Sequence, residues 1–231
     1  MSLLEIVNIH KTYTTGKVET PALRGIDLSI EKEEFTAVVG PSGSGKTTLV
    51  NLIGGLDTAD EGKIILEGRE ITDLSQKQLS DIRLRDIGFV FQAYNLIPVL
   101  TAVENVEYVM LLQGVPREKR REISRGILEE VGLGDLFVKR PNEMSGGQQQ
   151  RVAVARAIAS HPKLVLADEP TANLDSKTSG DLIELMQRLN RDKKITFIFS
   201  THDRQVMNSV RRVVKLKDGM VVDDGKNNPD K

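Results

Sequence analysis

The stretch Phe35-Thr36-Ala37-Val38-Val39-Gly40-Pro41-Ser42-Gly43-Ser44-Gly45-Lys46-Thr47-Thr48 decides how the rest of the chain is read. Phe35 to Val39 is an apolar run ending in glycine, the pattern of a strand buried in a parallel sheet. Gly40 to Thr47 then fits G-x-x-x-x-G-K-[ST]. Glycines in such a loop let successive backbone N–H groups turn inward around a polyphosphate. The helix expected from about Gly45 to Gly54 presents its positive end to the same anion. In this arrangement Lys46 reaches the β- and γ-phosphates, and the Thr47 hydroxyl ligates Mg²⁺. Thr48 stands where its hydroxyl or amide meets the α-phosphate. Average composition produces such a match by chance about once in a hundred chains of this length. The strand before the loop and the helix after it are the context that the chemistry needs. By itself the loop leaves kinases, GTPases and motor ATPases open.

The chain has 231 residues. At roughly 150 residues per domain, one large domain or a core with an inserted subdomain is expected. Lys and Arg number 32 against 33 Asp and Glu, a net charge of -1, which disfavours a strongly basic nucleic-acid binder. Hydrophobic residues make up 39% and charged residues 28%, a balance that argues against disorder. Cys is absent, which excludes a disulfide framework, a Cys-ligated zinc and a thiol nucleophile. Aromatic residues are 4% with no Trp, a poor basis for stacking single-stranded nucleic acid. No apolar run approaches the ~18–20 residues that span a bilayer. Met1 to His10 lacks a basic stretch followed by an apolar one, so a signal peptide is not expected. Any membrane role is then expected to pass through a partner.

Short apolar segments alternate with helical ones, which predicts an α/β protein with a largely parallel sheet. Strands are expected at Leu3 to Ile9 and Leu23 to Ile30, pairing as a small antiparallel sheet. Further strands are expected at Lys63 to Leu66 and Ile87 to Phe91. From about Ala93 to Ala159 the pattern turns helical (Val103, Val106, Val109, Met110) and then charge-dense (Arg117 to Glu130), which reads as a helical insertion. Alternating charge in that segment suggests a solvated face. Strands return at Leu164 to Ala167, Ile195 to Phe199 and Val213 to Leu216. Met220 to Asp223 closes a hairpin after the Lys217-Asp218-Gly219 turn. Gly225 to Lys231 is polar and expected to fray.

Leu164-Val165-Leu166-Ala167-Asp168-Glu169 places two carboxylates at the end of an apolar strand, where parallel α/β sheets hold ligands. Asp168 suits a role in holding Mg²⁺, and Glu169 suits polarising an attacking water. A solvated Asp-Glu-Pro turn is the competing reading; the phosphate loop tips the balance.

Ser145-Gly146-Gly147-Gln148 precedes a helix through Arg151, Val154 and Ile158 and lies shortly before the acidic strand. Here the chain resembles the nucleotide-binding subunits of ABC transporters, with Met144 where their signature usually has Leu. The resemblance implies a P-loop NTPase core of mostly parallel sheet, an N-terminal antiparallel β subdomain and an inserted α-helical subdomain. It places the ATP-binding core at 1–92 and 160–231 and the helical subdomain at 93–159. It implies ATP and Mg²⁺ as ligands, and a head-to-tail dimer of two copies. In that dimer the Ser145 to Gln148 segment of one copy meets the γ-phosphate held by the other. Residue by residue, Tyr13 with Gly16 looks like the aromatic that stacks on adenine. Gln92 looks like the Q-loop glutamine, which touches Mg²⁺ or water. Asn173-Leu174-Asp175 is similar to the D-loop, with Asp175 crossing the dimer interface, and His202 is similar to the switch histidine. Glu33 and Ala172 stand where many relatives have glycine. With Lys46, Gln92, Asp168, Glu169 and His202 present, an active ATPase is implied.

Phe89 to Val106, with Asn51 to Asp57 and Ser145 to Arg156, narrows the resemblance to the ATPases of lipoprotein release, macrolide efflux and cell division. That group implies an integral-membrane permease encoded separately, work at the cytoplasmic face of the membrane, and either export or force transmission. A soluble ABC protein acting on nucleic acid or ribosomes is the alternative. Such proteins usually carry two ATPase domains or a long coiled-coil insertion, and no sustained heptads occur here.

Overall fold

The computed structural model describes residues 2–227. Its elements run in chain order as β1 (Ser2–Thr15), β2 (Val18–Glu31), β3 (Phe35–Val39), α1 (Lys46–Ile53), β4 (Glu61–Leu66), β5 (Arg69–Glu70), α2 (Gln76–Arg85) and β6 (Ile87–Phe91). Three helices follow, α3 (Ala102–Leu112), α4 (Arg117–Glu130) and α5 (Gly146–Ile158). The chain continues through β7 (Leu164–Asp168), α6 (Ser176–Lys193), β8 (Thr196–Thr201), α7 (Arg204–Ser209), β9 (Arg212–Lys217) and β10 (Met220–Lys226). These elements fall into two units, one built from residues up to Arg83 and from Thr196 onward, the other from Leu84–Ile195.

In the first unit β1 and β2 form one long antiparallel hairpin, and β4 joins the other edge of β1. The expected antiparallel pairing is present, with longer strands than alternation alone predicts. Both strands carry register shifts, and these bulges interrupt the two-residue period at which a strand is recognised. The buried row Leu4, Ile6, Ile9, Leu23, Ile26, Leu28 and Ile30 is the core face of this sheet. In the same unit β3 lies parallel to both β8 and β9. Phe35 packs edge-on to Phe199 at 4.7 Å and against Phe197 at 5.6 Å, and all three rings are buried. Asp218 and Gly219 both have positive φ (50° and 78°), the primed geometry that a tight hairpin between β9 and β10 requires.

In the second unit β6 and β7 are parallel, in register from Ile87 opposite Leu164 to Phe91 opposite Asp168. Helices α3, α4 and α5 supply the expected helical stretch. Val103, Val106 and Met110 are buried along α3. Thr101 and Glu104 cap that helix reciprocally, the Glu104 carboxylate accepting the Thr101 N–H at 2.8 Å. Across α4 the charges are mostly exposed, as expected, while Ser124, Ile127 and Leu128 are buried. Glu107 of α3 accepts from Arg120 at 3.3 Å and from Arg121 at 3.0 Å.

Several expectations need correction. β8 extends through Ser200 and Thr201, so His202 follows it directly. The polar side chains Ser200 and Thr201 are wholly buried in the ladder, and their polarity conceals the end of the strand. β7 includes Asp168 for a similar reason: it pairs with Phe91 in the ladder. Helices α2, α6 and α7 lie outside the elements expected from the sequence. Of the tail expected to fray, Gly225 and Lys226 belong to β10. Asn227 is held by its side chain, which donates to the carbonyls of Met207 at 2.7 Å and Val210 at 3.1 Å. Residues 228–231 of that tail lie outside the described residues.

Glu33 has φ +64 and its N–H donates to Thr196 Oγ1 at 2.9 Å. The turn into β3 therefore imposes a left-handed backbone on a non-glycine residue. Ala172 has no positive φ, so glycine has no such advantage there. A non-glycine residue in this region costs about 1–2 kcal/mol, partly offset by the lower entropy of its unfolded chain. Glu33→Gly is expected to stabilise the protein by about 0.5–1 kcal/mol, read as a higher midpoint in urea denaturation.

Candidate functional site

In the first unit, β3 delivers the chain into the Gly40–Gly45 loop and α1 receives it. Gly45 caps α1 with φ +99 and, as glycine, makes no side-chain cap hydrogen bond. A side chain at Gly45 is excluded by its surroundings: its Cβ would stand 2.6 Å from the Ala22 carbonyl oxygen. The Ser44 N–H donates to Pro41 O at 3.2 Å, and the Gly219 N–H donates to Ser44 O at 3.2 Å, so the β9–β10 turn braces the loop. The first turn of α1 holds no acidic residue. The backbone N–H groups and the positive dipole end of such a helix start suit an anion.

Two side chains fit that purpose. Lys46 is buried, and its ammonium donates to the loop's own carbonyls, Gly40 O at 2.8 Å and Pro41 O at 3.1 Å. The Ser44 hydroxyl is buried with no partner among the described residues. A buried cation and an orphaned hydroxyl beside an uncapped helix end match the donors that a polyphosphate requires. Thr47 is exposed and Thr48 half-buried, both in the first turn of α1. Pro41, Ser42 and Gly43 form the exposed rim.

Tyr13 lies in β1 and is 41% exposed. Its hydroxyl donates to Asp57 Oδ2 at 2.7 Å, and the Lys11 ammonium lies 5.3 Å from its ring centroid. Burial first, then the Asp57 contact, pushes the Tyr13 phenol above its ordinary value. Burial acts to raise Asp57, but the hydrogen bonds from Tyr13, Thr58 and Lys11 outweigh it and hold the carboxyl low. Lys11 and Tyr13 lie two residues apart in β1, across a register shift, and the ammonium still reaches the ring. Asp57, distant in sequence, carried no such signal and was missed as the anchor of Tyr13. His202 is exposed, just beyond β8. The next residue, Asp203, caps α7 by accepting the Gln205 N–H at 2.8 Å.

In the second unit, Asp168 ends β7 and Glu169 follows with φ +46. Both are partly accessible. Gln92 is exposed just past β6, and its carbonyl accepts from Asn173 Nδ2 at 3.0 Å. The structure therefore joins two segments that the family pattern names separately. Ser145 caps α5, its hydroxyl accepting the Gln148 N–H at 3.3 Å while Gln148 Oε1 accepts the Ser145 N–H at 2.8 Å. The capping box commits the Gln148 side chain to its own helix end. Asp175 caps α6, accepting from the N–H groups of Lys177 and Thr178 and, at 2.6 Å, from the Thr178 hydroxyl. The Thr178 hydrogen bonds hold its carboxyl below the ordinary carboxylate range. Gly146 and Gly147 are small for local reasons. A Cβ at Gly146 would lie 2.7 Å from Tyr94 Oη, and one at Gly147 would lie 2.5 Å from Thr178 Cγ2.

Arg156 was also missed. It is half-buried on an otherwise largely apolar helix, and desolvation lowers its pKa. Its guanidinium donates to the carbonyls of Tyr94, at 2.9 Å, and Asn95. Both of those residues have positive φ, so Arg156 clamps an otherwise unfavourable loop.

A phosphate-binding strand–loop–helix, an acidic strand end and a glycine-opened helix on one chain define a class, and comparison with known proteins identifies it. The family model described as "ABC transporter" matches residues 23–172. An "Uncharacterized ABC transporter ATP-binding protein" of Thermotoga maritima is 45% identical, covering 95% of this chain and 93% of that protein. The "Macrolide export ATP-binding/permease protein MacB" of Syntrophobacter fumaroxidans is 44% identical over 96% of this chain, which spans only 31% of that protein. A solved dimeric ATP-binding cassette in a post-hydrolysis state with ADP and Pi superposes with a TM-score of 0.90 at 41% identity, covering 97% of this chain and 99% of that one. The chain belongs to the ABC transporter family, as an ATP-binding and ATP-hydrolysing cassette.

The packing at Gly147 yields a paired expectation. Gly147→Ala is expected to destabilise the protein by about 1–3 kcal/mol, as overpacking does. Thr178→Ser removes the obstructing methyl but keeps the hydroxyl bound to Asp175. In that background Gly147→Ala should cost less than half as much, measured by chemical denaturation.

Proposed function

We propose that two copies of this chain close head to tail on ATP and drive a separately encoded membrane permease of the lipoprotein-release or macrolide-efflux type. Support for the nucleotide part is the phosphate loop, where a buried Lys46 ammonium and an unpartnered Ser44 hydroxyl stand beside an uncapped helix end. Support for the export part is the likeness to MacB and to the "Bacitracin export ATP-binding protein BceA" of Halalkalibacterium halodurans, 41% identical over 96% of this chain. Among the described residues no helix is long and apolar enough to cross a membrane. The membrane-spanning part is assigned to the permease, and the cassette to the cytoplasmic face.

The roles are assigned as follows. Gly40 to Thr48 hold the phosphates through backbone amides, with Lys46 neutralising charge at the β- and γ-positions. Tyr13, its hydroxyl anchored by Asp57, offers its ring face to adenine. Glu169 accepts a proton from the attacking water, and His202 contacts the γ-phosphate. Ser145, Gly146, Gly147 and Gln148 of a second copy, with Asp175 at the interface, complete each site. Mg²⁺ is assigned to the oxygen donors Thr47, Gln92 and Asp168. Among the described residues no group of three or more His, Asp or Glu side chains could hold a metal ion alone. Mg²⁺ takes one or two protein carboxylates and fills its octahedron with phosphate oxygens and water.

Two measurements test this reading. Glu169→Gln is expected to slow hydrolysis by about 10²-fold or more and to trap an ATP-bound dimer in size-exclusion chromatography. Undiminished hydrolysis, or a monomer at saturating ATP, would refute it. Tyr13→Ala is expected to weaken ATP binding by about 1–2 kcal/mol, or roughly 5- to 30-fold, if the ring stacks on the base. Tyr13→Phe keeps the ring face and should lose less than Tyr13→Ala in a fluorescent-nucleotide titration.

A further inference from the structure

Gln150 is fully buried in α5, among Val152, Ala153 and Val154, which are equally inaccessible. Its amide nitrogen donates to Pro170 O at 2.7 Å and to Phe91 O at 3.3 Å. The orientation of the amide follows from its partners. Both are carbonyl oxygens, so a reversed amide would set oxygen against oxygen at each contact. Its own Oε1 is buried and has no partner among the described residues. A buried orphaned acceptor opposes folding, and an apolar side chain of similar shape would avoid that cost. The two donor contacts are therefore what the residue supplies.

Their positions are specific. Phe91 immediately precedes Gln92, and Pro170 immediately follows Glu169, whose φ is +46. The Phe91 carbonyl also accepts the Tyr94 N–H at 3.2 Å, so it keeps a partner without Gln150, while the Pro170 contact is the shorter of the two. The helix that begins with Ser145 thus reaches, one residue away, the backbones of both proposed catalytic residues in its own unit.

We propose that Gln150 is a positioning residue for ATP hydrolysis: by holding the Phe91 and Pro170 carbonyls as a fixed pair it sets the backbone that presents Gln92 and Glu169. The inference rests on the roles proposed above for those two residues. Gln150 is fully buried, so its substitution is expected to leave nucleotide binding unaffected and to slow turnover.

The test is steady-state ATPase kinetics of the purified full chain carrying Gln150→Met, which matches glutamine in length and lacks both donors. The expected result is a kcat at least tenfold lower, a KM for ATP within twofold of wild type and a similar melting temperature. Single-turnover rates with labelled ATP then compare the substitution in the wild-type and Glu169→Gln backgrounds. If Gln150 acts through Glu169, it should cost less than twofold in the second background. A kcat reduced less than tenfold, a KM that rises in step with the loss, or an equal loss in both backgrounds overturns the proposal. Should Gln150→Met not fold, Gln150→Asn retains the amide one methylene short of its partners. The same loss confined to kcat is expected there, and a wild-type kcat overturns the proposal. If Glu169→Gln itself hydrolyses ATP normally, the assignment of the catalytic residues fails, whatever Gln150 does. If only the Gln150 variants behave as wild type, the positioning role alone fails.

Discussion

A polyphosphate concentrates charge that a protein of near-neutral net charge must meet with local donors. The donors here are backbone N–H groups, and they point the right way only if the chain leaves β3, turns with Gly45 left-handed and enters α1 without a side-chain cap. Much of the first unit serves that turn. The Ala22 carbonyl crowds Gly45, the β9–β10 hairpin ties the loop through Gly219, and the aromatic packing of Phe35 with Phe197 and Phe199 anchors the strand behind it. Each contact restrains backbone that would otherwise lose its pre-organisation, which is what makes amide donors effective toward an anion.

In the second unit the corresponding organiser is α5. Its N-terminus is closed by the Ser145–Gln148 capping box. Its glycines let Tyr94 and Thr178 approach the backbone. Further along, the buried Gln150 and the half-buried Arg156 donate to backbone carbonyls of the segments around Gln92 and Glu169. Burying such groups is costly unless they are satisfied. Their placement on one helix links the signature segment mechanically to the loops that carry the proposed chemistry.

Sequence patterns carried the fold class, and they could nominate site residues because phosphate binding is a local task. Glycine spacing, a lysine, a threonine and an apolar strand lie within a dozen positions, so composition and order reveal them. Patterns failed where side chains contradict their setting. Ser200 and Thr201 fall outside the expected strand yet fill a buried one, and the register shifts in β1 and β2 blur the alternation by which strands are recognised. Glu33 was visible as a departure from glycine, but only its φ of +64 explains what the departure costs.

By itself, the sequence determined that this chain carries a phosphate loop, an acidic strand end and the signature of an ABC ATPase, because each is written in contiguous residues. Only the tertiary structure decided what anchors them. Asp57 reaches Tyr13 across 44 positions, Asn173 reaches the Gln92 carbonyl across 81, and Gln150 reaches Phe91 and Pro170 across 59 and 20. Hydrogen bonds act over about 3 Å in space, and nothing in a linear order of residues states which distant carbonyl or carboxylate will arrive within that range.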